Sequence, residues 1–453
     1  MYTLNRRKDE KTNLGALGSR IETEFTIAES RWGRLVSAIT SLLCLLPLIL
    51  FWQSFRALYW FGDDWELISQ MESTGIPSWM TQSFAENFIP FFKGLWAAAV
   101  IALHGSYFGM IWVLWGTHLA ILLLFTALLR QLGFSWMSQT VAVVTLGMPW
   151  SNIETLGWAT QWSSLLSTFF LLLAWVFLIR SESQADPKRF AAAAVMGALA
   201  SALSFSRGVL SGALLAFFTI RSRFGNRPAN RRHQWTTACL ATVTVASLVP
   251  YRWMLREYPS FQGLNEAKLS AMASYGAHYM LLNPLFHLVP LPHKTADGLT
   301  ELLIAGGFKA LIVATGFLVS KECQRALLWT LLLLDLSTAG LLGLGRYNLG
   351  IDTAVSYRYQ YVSLLSLAPF LGLGVSRAAE FIGRPGKAAF ALFFLGWSLL
   401  LGYPWLRHSE RWAQWRGTDV RNALVSTPSD RSFGLPSITA GRARELISIY
   451  NLH

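Results

Sequence analysis

Charge is what this sequence has least of. Lysine, arginine, aspartate and glutamate make up 14% of its 453 residues, against roughly 25% in a soluble domain, and that shortage excludes an ordinary water-soluble fold. Cysteine is scarce as well. Of three, Cys44 and Cys239 lie in apolar runs and Cys323 in a short basic loop, with no spacing that suits a disulfide framework or a metal site. A glycine-rich phosphate loop between a strand and a helix is missing, so nothing points to a nucleotide-sugar site. The first 34 residues are polar and lack the apolar core and cleavage pattern of a signal peptide. They are expected to stay as a cytoplasmic tail, 1–34, with the first apolar run acting as the insertion signal. Acids are outnumbered by bases, 25 to 38, for a net charge of +13. Because the basic excess is scattered between apolar runs, a nucleic-acid partner is not expected.

Apolar residues fill the gap, at 53%. Runs such as LVSAITSLLCLLPLILFW and LLSTFFLLLAWVFLI recur, each long enough to cross a hydrocarbon core of roughly 30 Å as a helix. They predict an all-α polytopic membrane protein with about eleven spans. These fall near 35–58, 108–129, 136–150, 156–179, 190–205, 208–220, 235–254, 303–319, 326–345, 360–379 and 387–405. The twenty tryptophans are expected at the membrane–water boundary. One catalytic membrane domain, 35–406, is followed by a tail, 407–453, too short for an independent fold. With the N-terminus inside, the loops RQLGFSW, RSESQADPKR, RSRFGNRPANRRH, SKECQR and SRAAEFIGRPGK fall on the cytoplasmic side, and each carries Lys or Arg. The long loops 59–107 and 255–302 then lie outside. The tail 407–453 is also placed outside despite its seven arginines: either the span count is off by one, or, the preferred reading, those arginines work at the outer surface.

An adjacent acid pair, Asp63 and Asp64 in YWFGDDWELISQ, follows the first run. By itself such a pair reads as a solvated loop start. Downstream, SFAENFIPFFKGLW (83–96) is rich in aromatic residues, is broken by Glu86, Pro90 and Lys93, and reads as an interfacial helix lying flat. Later come PWSNIETLGWATQWSSLL, with Glu154 before a Trp-rich helix start, and SYRYQYVSLLSLAP, with Tyr357 and Arg358 at the start of a late helix. In this order the elements resemble the GT-C superfamily of glycosyltransferases that use polyprenyl-phosphate sugars. That superfamily includes the protein O-mannosyltransferases and the lipid A aminoarabinose transferases. The resemblance covers the order of elements along nearly the whole chain, although the matching motifs are short. No His-Pro-Pro follows the first loop, which leaves the acceptor class open.

The resemblance implies a membrane glycosyltransferase with Asp63 and Asp64 in the catalytic acidic motif. Arg358, Arg346, Glu154, Arg207, Lys93 and Tyr357 are then the substrate-binding candidates. The site would face the extracytoplasmic side, in a bacterial inner membrane. Partners would be membrane lipid, a polyprenyl-phosphate-linked sugar as donor, and an extracytoplasmic glycan, lipid or protein hydroxyl as acceptor. No metal ligands are assigned, and a divalent cation stays open as a cofactor.

Chemistry gives each residue type a reason. An attacking hydroxyl needs a base, which a carboxylate within hydrogen-bond reach provides; Asp63 is favoured over Asp64, whose part would be to orient it or bind acceptor or a metal. A leaving lipid phosphate needs fixed cations, and the arginine fork suits phosphate. Each candidate also has a plainer reading. Arg346 and Arg358 can snorkel at helix ends, Glu154 can cap a helix, and Arg207 can face outer headgroups. His278, His287 and His293 match no metal spacing. Asp335, in the middle of an apolar run, is expected to be either functional or paired with another helix. Two other classes compete. A transporter or flippase would concentrate charge at mid-membrane, and an O-antigen-type polymerase would rely on arginines in large outer loops. Acids placed immediately after the first span favour the glycosyltransferase.

Overall fold

A computed structural model describes residues 35–453 apart from 184–185, 223–230, 258–264, 289–297 and 434. The tail 1–34, most of the basic loop 221–234 and His293 lie outside the described residues. The chain opens with a helix pair, α1 (Leu35–Leu50) and α2 (Trp52–Ala57). Short helices α3 (Asp63–Thr74) and α4 (Ile76–Met80) follow, then α5 (Pro90–Ala102). Next come α6 (Tyr107–Gln131), α7 (Trp136–Gly147), α8 (Ile153–Gly157), α9 (Trp162–Ser183), α10 (Pro187–Ala202), α11 (Ser211–Arg221) and α12 (Arg231–Glu257). The second half holds α13 (Glu266–Leu282), α14 (Leu285–Leu288), α15 (Leu299–Val319), α16 (Glu322–Arg346), α17 (Tyr357–Ile382) and α18 (Arg384–Ala413). The chain finishes with α19 (Asp419–Ser426), an antiparallel hairpin of β1 (Ser432–Phe433) and β2 (Leu435–Thr439), and α20 (Ala440–Tyr450). Apart from that hairpin the described fold is helical, as expected.

Six helical segments among the described residues are long and apolar enough to cross a membrane: 107–131, 159–181, 299–319, 322–349, 357–382 and 385–426. All six coincide with spans read from the sequence, and the chain is an integral membrane protein. The other five of the eleven expected spans do not meet that standard. Helices α7, α10 and α11 have 12, 16 and 11 residues, where a crossing needs about 20. The first run breaks at Phe51 between α1 and α2. The segment 235–254 sits inside α12, which carries arginines towards both ends.

The stretch 83–96 is not one helix either. Phe84 and Asn87 pair in an isolated β-bridge, and α5 begins only at Pro90. Proline suits the first helical position, because its missing N–H has no partner there anyway, while it keeps the preceding residue out of the helix.

Many aromatic residues are used inside. Trp60, Trp65, Trp79, Trp96, Trp115, Trp175 and Trp405 are all essentially fully buried. Tryptophan in this chain therefore fills the protein core as well as its boundary, with ring pairs such as Trp60–Tyr107 at 5.1 Å and Phe55–Trp115 at 5.4 Å.

Helix α15 meets α16 through a buried ion pair. Lys309 Nζ lies 2.6 Å from Asp335 Oδ2 and also donates to the carbonyls of Met280 and Asn283 at 2.7 Å. Tyr279 donates to the other oxygen of Asp335 at 3.2 Å. Of the two readings of Asp335, the structure shows the paired one.

The C-terminal segment packs back onto the rest of the chain. The expected boundary at 406 falls inside α18, and α20 lies against α3, where Arg442 pairs with Glu72. Tyr107 N donates to the carbonyl of His453 at 2.8 Å, and Tyr59 Oη to that of Leu452 at 3.2 Å. The C-terminal segment is thus held against α3 and the residues that flank it.

Candidate active site

The site is built from helix ends. Gly62 precedes α3 with φ +55°, a left-handed conformation that favours glycine; a Cβ there would also stand 3.3 Å from the Trp158 ring. This turn places Asp63, Asp64 and Glu66 in the first turn of α3, where the exposed backbone N–H groups favour negative charge.

The two acids have different fates. Asp64 is fully buried. It accepts hydrogen bonds from Phe61 N at 3.1 Å, from Thr160 N at 2.9 Å and from the Thr160 hydroxyl. Burial nevertheless pushes its carboxyl up to about 7, with the three hydrogen bonds opposing the shift. Asp64 therefore joins the α3 turn to the start of α9. Asp63 is half-buried and has no hydrogen bond to a described residue. Burial raises its pKa, while Arg358, Arg346 and Arg416 oppose the rise and Glu86 adds to it. Its lone pairs are available to something that is not protein.

Asp63 lines a cavity of about 120 Å³ together with Glu86, Gln161, Arg207, Arg346 and Arg358, several times the space that one water needs. Arg207 is held by α9: one terminal nitrogen donates to Ser164 O at 3.1 Å, Ser164 Oγ at 3.2 Å and Thr168 Oγ1 at 3.0 Å. Arg346, the last residue of α16, pairs with Glu86. Arg358 is the second residue of α17, so its charge stands at the helix end that disfavours cations. Its backbone N donates to Glu154 Oε2 at 3.2 Å, and its buried Nε has no hydrogen bond to a described residue. The guanidinium lies 5.1 Å from the centre of the Tyr359 ring, and a cation with an idle donor beside a cavity can serve as a site for an anion.

Of the residues singled out from sequence, Asp63, Arg207, Arg346 and Arg358 meet in this cavity. Glu154 stands behind it, between the backbone of Arg358 and the guanidinium of Arg416, 3.7 Å away. Tyr357 is outside the lining and packs against His287 and Trp150, with ring centroids at 4.4 and 4.7 Å. Lys93 is also outside it. Its ammonium is buried and donates to the carbonyls of Trp79 and Gln82 at 2.9 Å each, fastening the α4 turn. Glu86, Gln161 and Arg416 were not picked as site residues. Glu86 had a visible signal, an acid inside an aromatic stretch; Arg416 had none beyond belonging to an arginine-rich tail.

A divalent cation has no evident protein cage here. Among the described residues no three His, Cys, Asp or Glu side chains gather. Of the carboxylates near the cavity, Glu86 is committed to Arg346 and Glu154 to Arg416. The residues present do not fit a bound metal.

No known family's sequence profile matches the chain, and no curated protein matches it. Solved structures do. An oligosaccharyltransferase of the archaeon Archaeoglobus fulgidus, tethered to an acceptor peptide containing an NVT sequon, superposes with a TM-score of 0.53 at 16% identity, covering 93% of this chain and 59% of that one. Its apo form gives 0.53 at 15% identity, over 94% and 60%. The same enzyme, AglB, in complex with an inhibitory peptide and a dolichol-phosphate gives 0.50 at 14% identity, again over 94% and 60%. This chain thus spans about three fifths of the length of the enzyme it matches. At such low identity the likeness speaks for architecture, and the architecture of this membrane protein is the GT-C fold.

Proposed function

We infer that the protein is a membrane glycosyltransferase that moves a sugar from a polyprenyl-phosphate donor to a hydroxyl-bearing acceptor. The observation that carries this reading is the cavity that joins one uncommitted carboxylate, Asp63, to three arginines on a GT-C scaffold. The acceptor oxygen attacks the anomeric carbon, and its proton passes to Asp63 acting as general base. The bond from that carbon to the phosphate oxygen breaks, and the electron pair leaves with the lipid phosphate. Arg358 and Arg207, with Arg346 beside Glu86, supply the fixed positive charge that a departing phosphate needs. Asp64 fixes the turn from which Asp63 projects, so the base and its orienting neighbour are the two adjacent acids in that order.

Several features support a lipid-borne donor over a nucleotide sugar: the shortage of strand structure, the helix-end arginines beside membrane-crossing segments, and the dolichol-phosphate bound by the structurally similar archaeal enzyme. The active face is proposed to be extracytoplasmic, in a bacterial inner membrane, with a glycan, lipid or protein hydroxyl as acceptor. The test is transfer of radiolabelled sugar in membranes enriched in the protein, with polyprenyl-phosphate sugars set against nucleotide sugars. Label should move from the lipid-linked donors in the presence of the wild-type chain and not of Asp63→Asn. Transfer from nucleotide sugars alone would reject the donor assignment.

A further inference from the structure

Arg416 sits in the π-helical turn Gln414–Thr418 that follows α18, at the opposite end of the chain from the acid pair. Its carbonyl accepts from Tyr59 N at 3.2 Å. Its neighbour Gly417 comes so close to α2 that a Cβ there would fall 2.1 Å from the Ala57 carbonyl oxygen. The backbone is therefore fixed against the segment that leads into α3.

The side chain is only 8% exposed. Its guanidinium carbon lies 3.4 Å from the centre of the Phe61 ring, 4.1 Å from Trp415, 4.7 Å from Trp412 and 5.1 Å from Trp158. One terminal nitrogen reaches Glu154 Oε1 at 3.7 Å, while Nε and Nη1 have no hydrogen bond to a described residue. Ring faces offset part of the cost of a desolvated cation. They do not satisfy its idle donors, so packing alone explains this arrangement poorly. What Arg416 touches is informative. Phe61 belongs to the turn that launches Asp63, and Glu154 holds the backbone of Arg358 with its other oxygen.

We propose that Arg416 is a positioning residue for the transfer reaction: it locks the Phe61–Gly62–Asp63 turn and the Glu154–Arg358 contact into one arrangement and places a fixed positive charge behind the base, without touching substrate. The inference rests on the reading of Asp63 as base. Asp63 is faced by Arg346 of α16, Arg358 of α17, Arg416 of the C-terminal segment and Glu86 of the bridge loop, with Asp64 and Glu66 on its own helix. Removing Arg416 takes away one of three opposing cations. The carboxyl then holds its proton to higher pH, and the acidic limb of the rate profile moves in the same direction.

The experiment measures transfer against pH in purified full-length protein for Arg416→Met, Arg416→Lys and Asp63→Asn, with Arg377→Met, an exposed arginine on α17, as control. Arg416→Met should lower kcat about tenfold, leave donor KM within about twofold, and move the acidic limb to higher pH. Arg416→Lys keeps the charge and loses the planar stack, so its limb should stay near wild type while kcat recovers only in part. If Arg416→Met does not fold, Arg416→Lys carries the test through its lowered kcat at unchanged KM. A wild-type profile and kcat in either folded variant overturns the proposal, as does a donor KM that rises in step with the loss of kcat. Asp63→Asn separates the two layers: full transfer by that variant removes the base itself, whereas a dead Asp63→Asn beside a wild-type Arg416→Met removes only the positioning role. An acidic limb that survives in Asp64→Asn assigns the titration to Asp63 and supports the proposal; one that disappears there overturns it.

Discussion

Two charged centres lie within this helical protein, and they are built on opposite terms. Around Lys309 and Asp335 the charges are closed: the ammonium donates to a carboxylate and two carbonyls, and the carboxylate also accepts from Tyr279. Around Asp63 the charges are open. The carboxylate has no hydrogen bond to a described residue, Arg358 Nε is idle, and a cavity separates the groups. Both centres are costly to desolvate. A low-dielectric interior tolerates the first because each group is satisfied, and that makes it a fastener between helices. The second leaves Asp63 and one donor of Arg358 without a hydrogen bond to a described residue beside a cavity, an arrangement that suits a binding site.

Neutralising one acid in each centre tests this contrast most directly. Asp63→Asn should accumulate in membranes like wild type and lose roughly 10²–10⁴-fold in turnover, the usual worth of a positioned base. Quantitative immunoblotting alongside the transfer assay checks both halves. Lys309→Met should do the reverse. It leaves Asp335 buried without its cation, a change that costs on the order of 3–5 kcal/mol of stability, while transfer per folded molecule stays near normal. Thermal unfolding in detergent reads the loss, and Lys309→Met combined with Asp335→Leu should recover much of it. A Lys309→Met protein that is stable but inactive would break the comparison and make the closed centre functional.

The sequence was informative where chemistry and hydropathy coincide. Low charge and long apolar runs identified six helical segments long and apolar enough to cross a membrane. Elsewhere the same signal also marked shorter helices. The run 136–150 is a 12-residue helix followed by the Pro149 break and a tight turn, and hydropathy does not distinguish that from a crossing. At the site, Asp63, Arg207, Arg346 and Arg358 were singled out as charges beside apolar runs, and the structure places all four on one cavity. Lys93 looked equivalent, but its ammonium turns back onto two carbonyls of its own loop, a contact set by the fold of residues 76–93 and invisible in their spacing. Arg416 was hidden for a different reason. Its partners Phe61, Trp158 and Glu154 lie in other parts of the chain, and only the wrapping of the C-terminal segment around α3 brings them together.

Within the open centre, substitutions that keep charge should cost less than those that remove it. Arg358→Lys retains a cation at the start of α17 and loses the planar fork and the Nε donor. Donor KM should rise about tenfold, or roughly 1.4 kcal/mol, with little change in thermal stability. Unchanged donor KM at normal turnover would take Arg358 out of the phosphate site and leave Arg207 as its main cation.

The smallest effect is expected at Asp64, the acid that resembles the closed centre although it sits beside the open one. Folding raises its carboxyl from 3.8 to about 7. A group shifted this way favours the folded state while protonated. Its contribution is complete below the unfolded value and is lost as pH rises through the folded one. Wild-type stability should therefore decline between about pH 4 and about pH 7, with this carboxyl contributing to the slope. Asp64→Asn keeps an oxygen that can accept from Thr160 and removes the titration, so its melting temperature should vary less across that window. Turnover should fall only severalfold, through a looser Phe61–Asp63 turn. Matched melting curves at pH 4.5, 6 and 7.5 would decide it: parallel pH dependence in the two proteins would show that Asp64 does not titrate there, and a turnover loss as deep as that of Asp63→Asn would make the two acids a shared base.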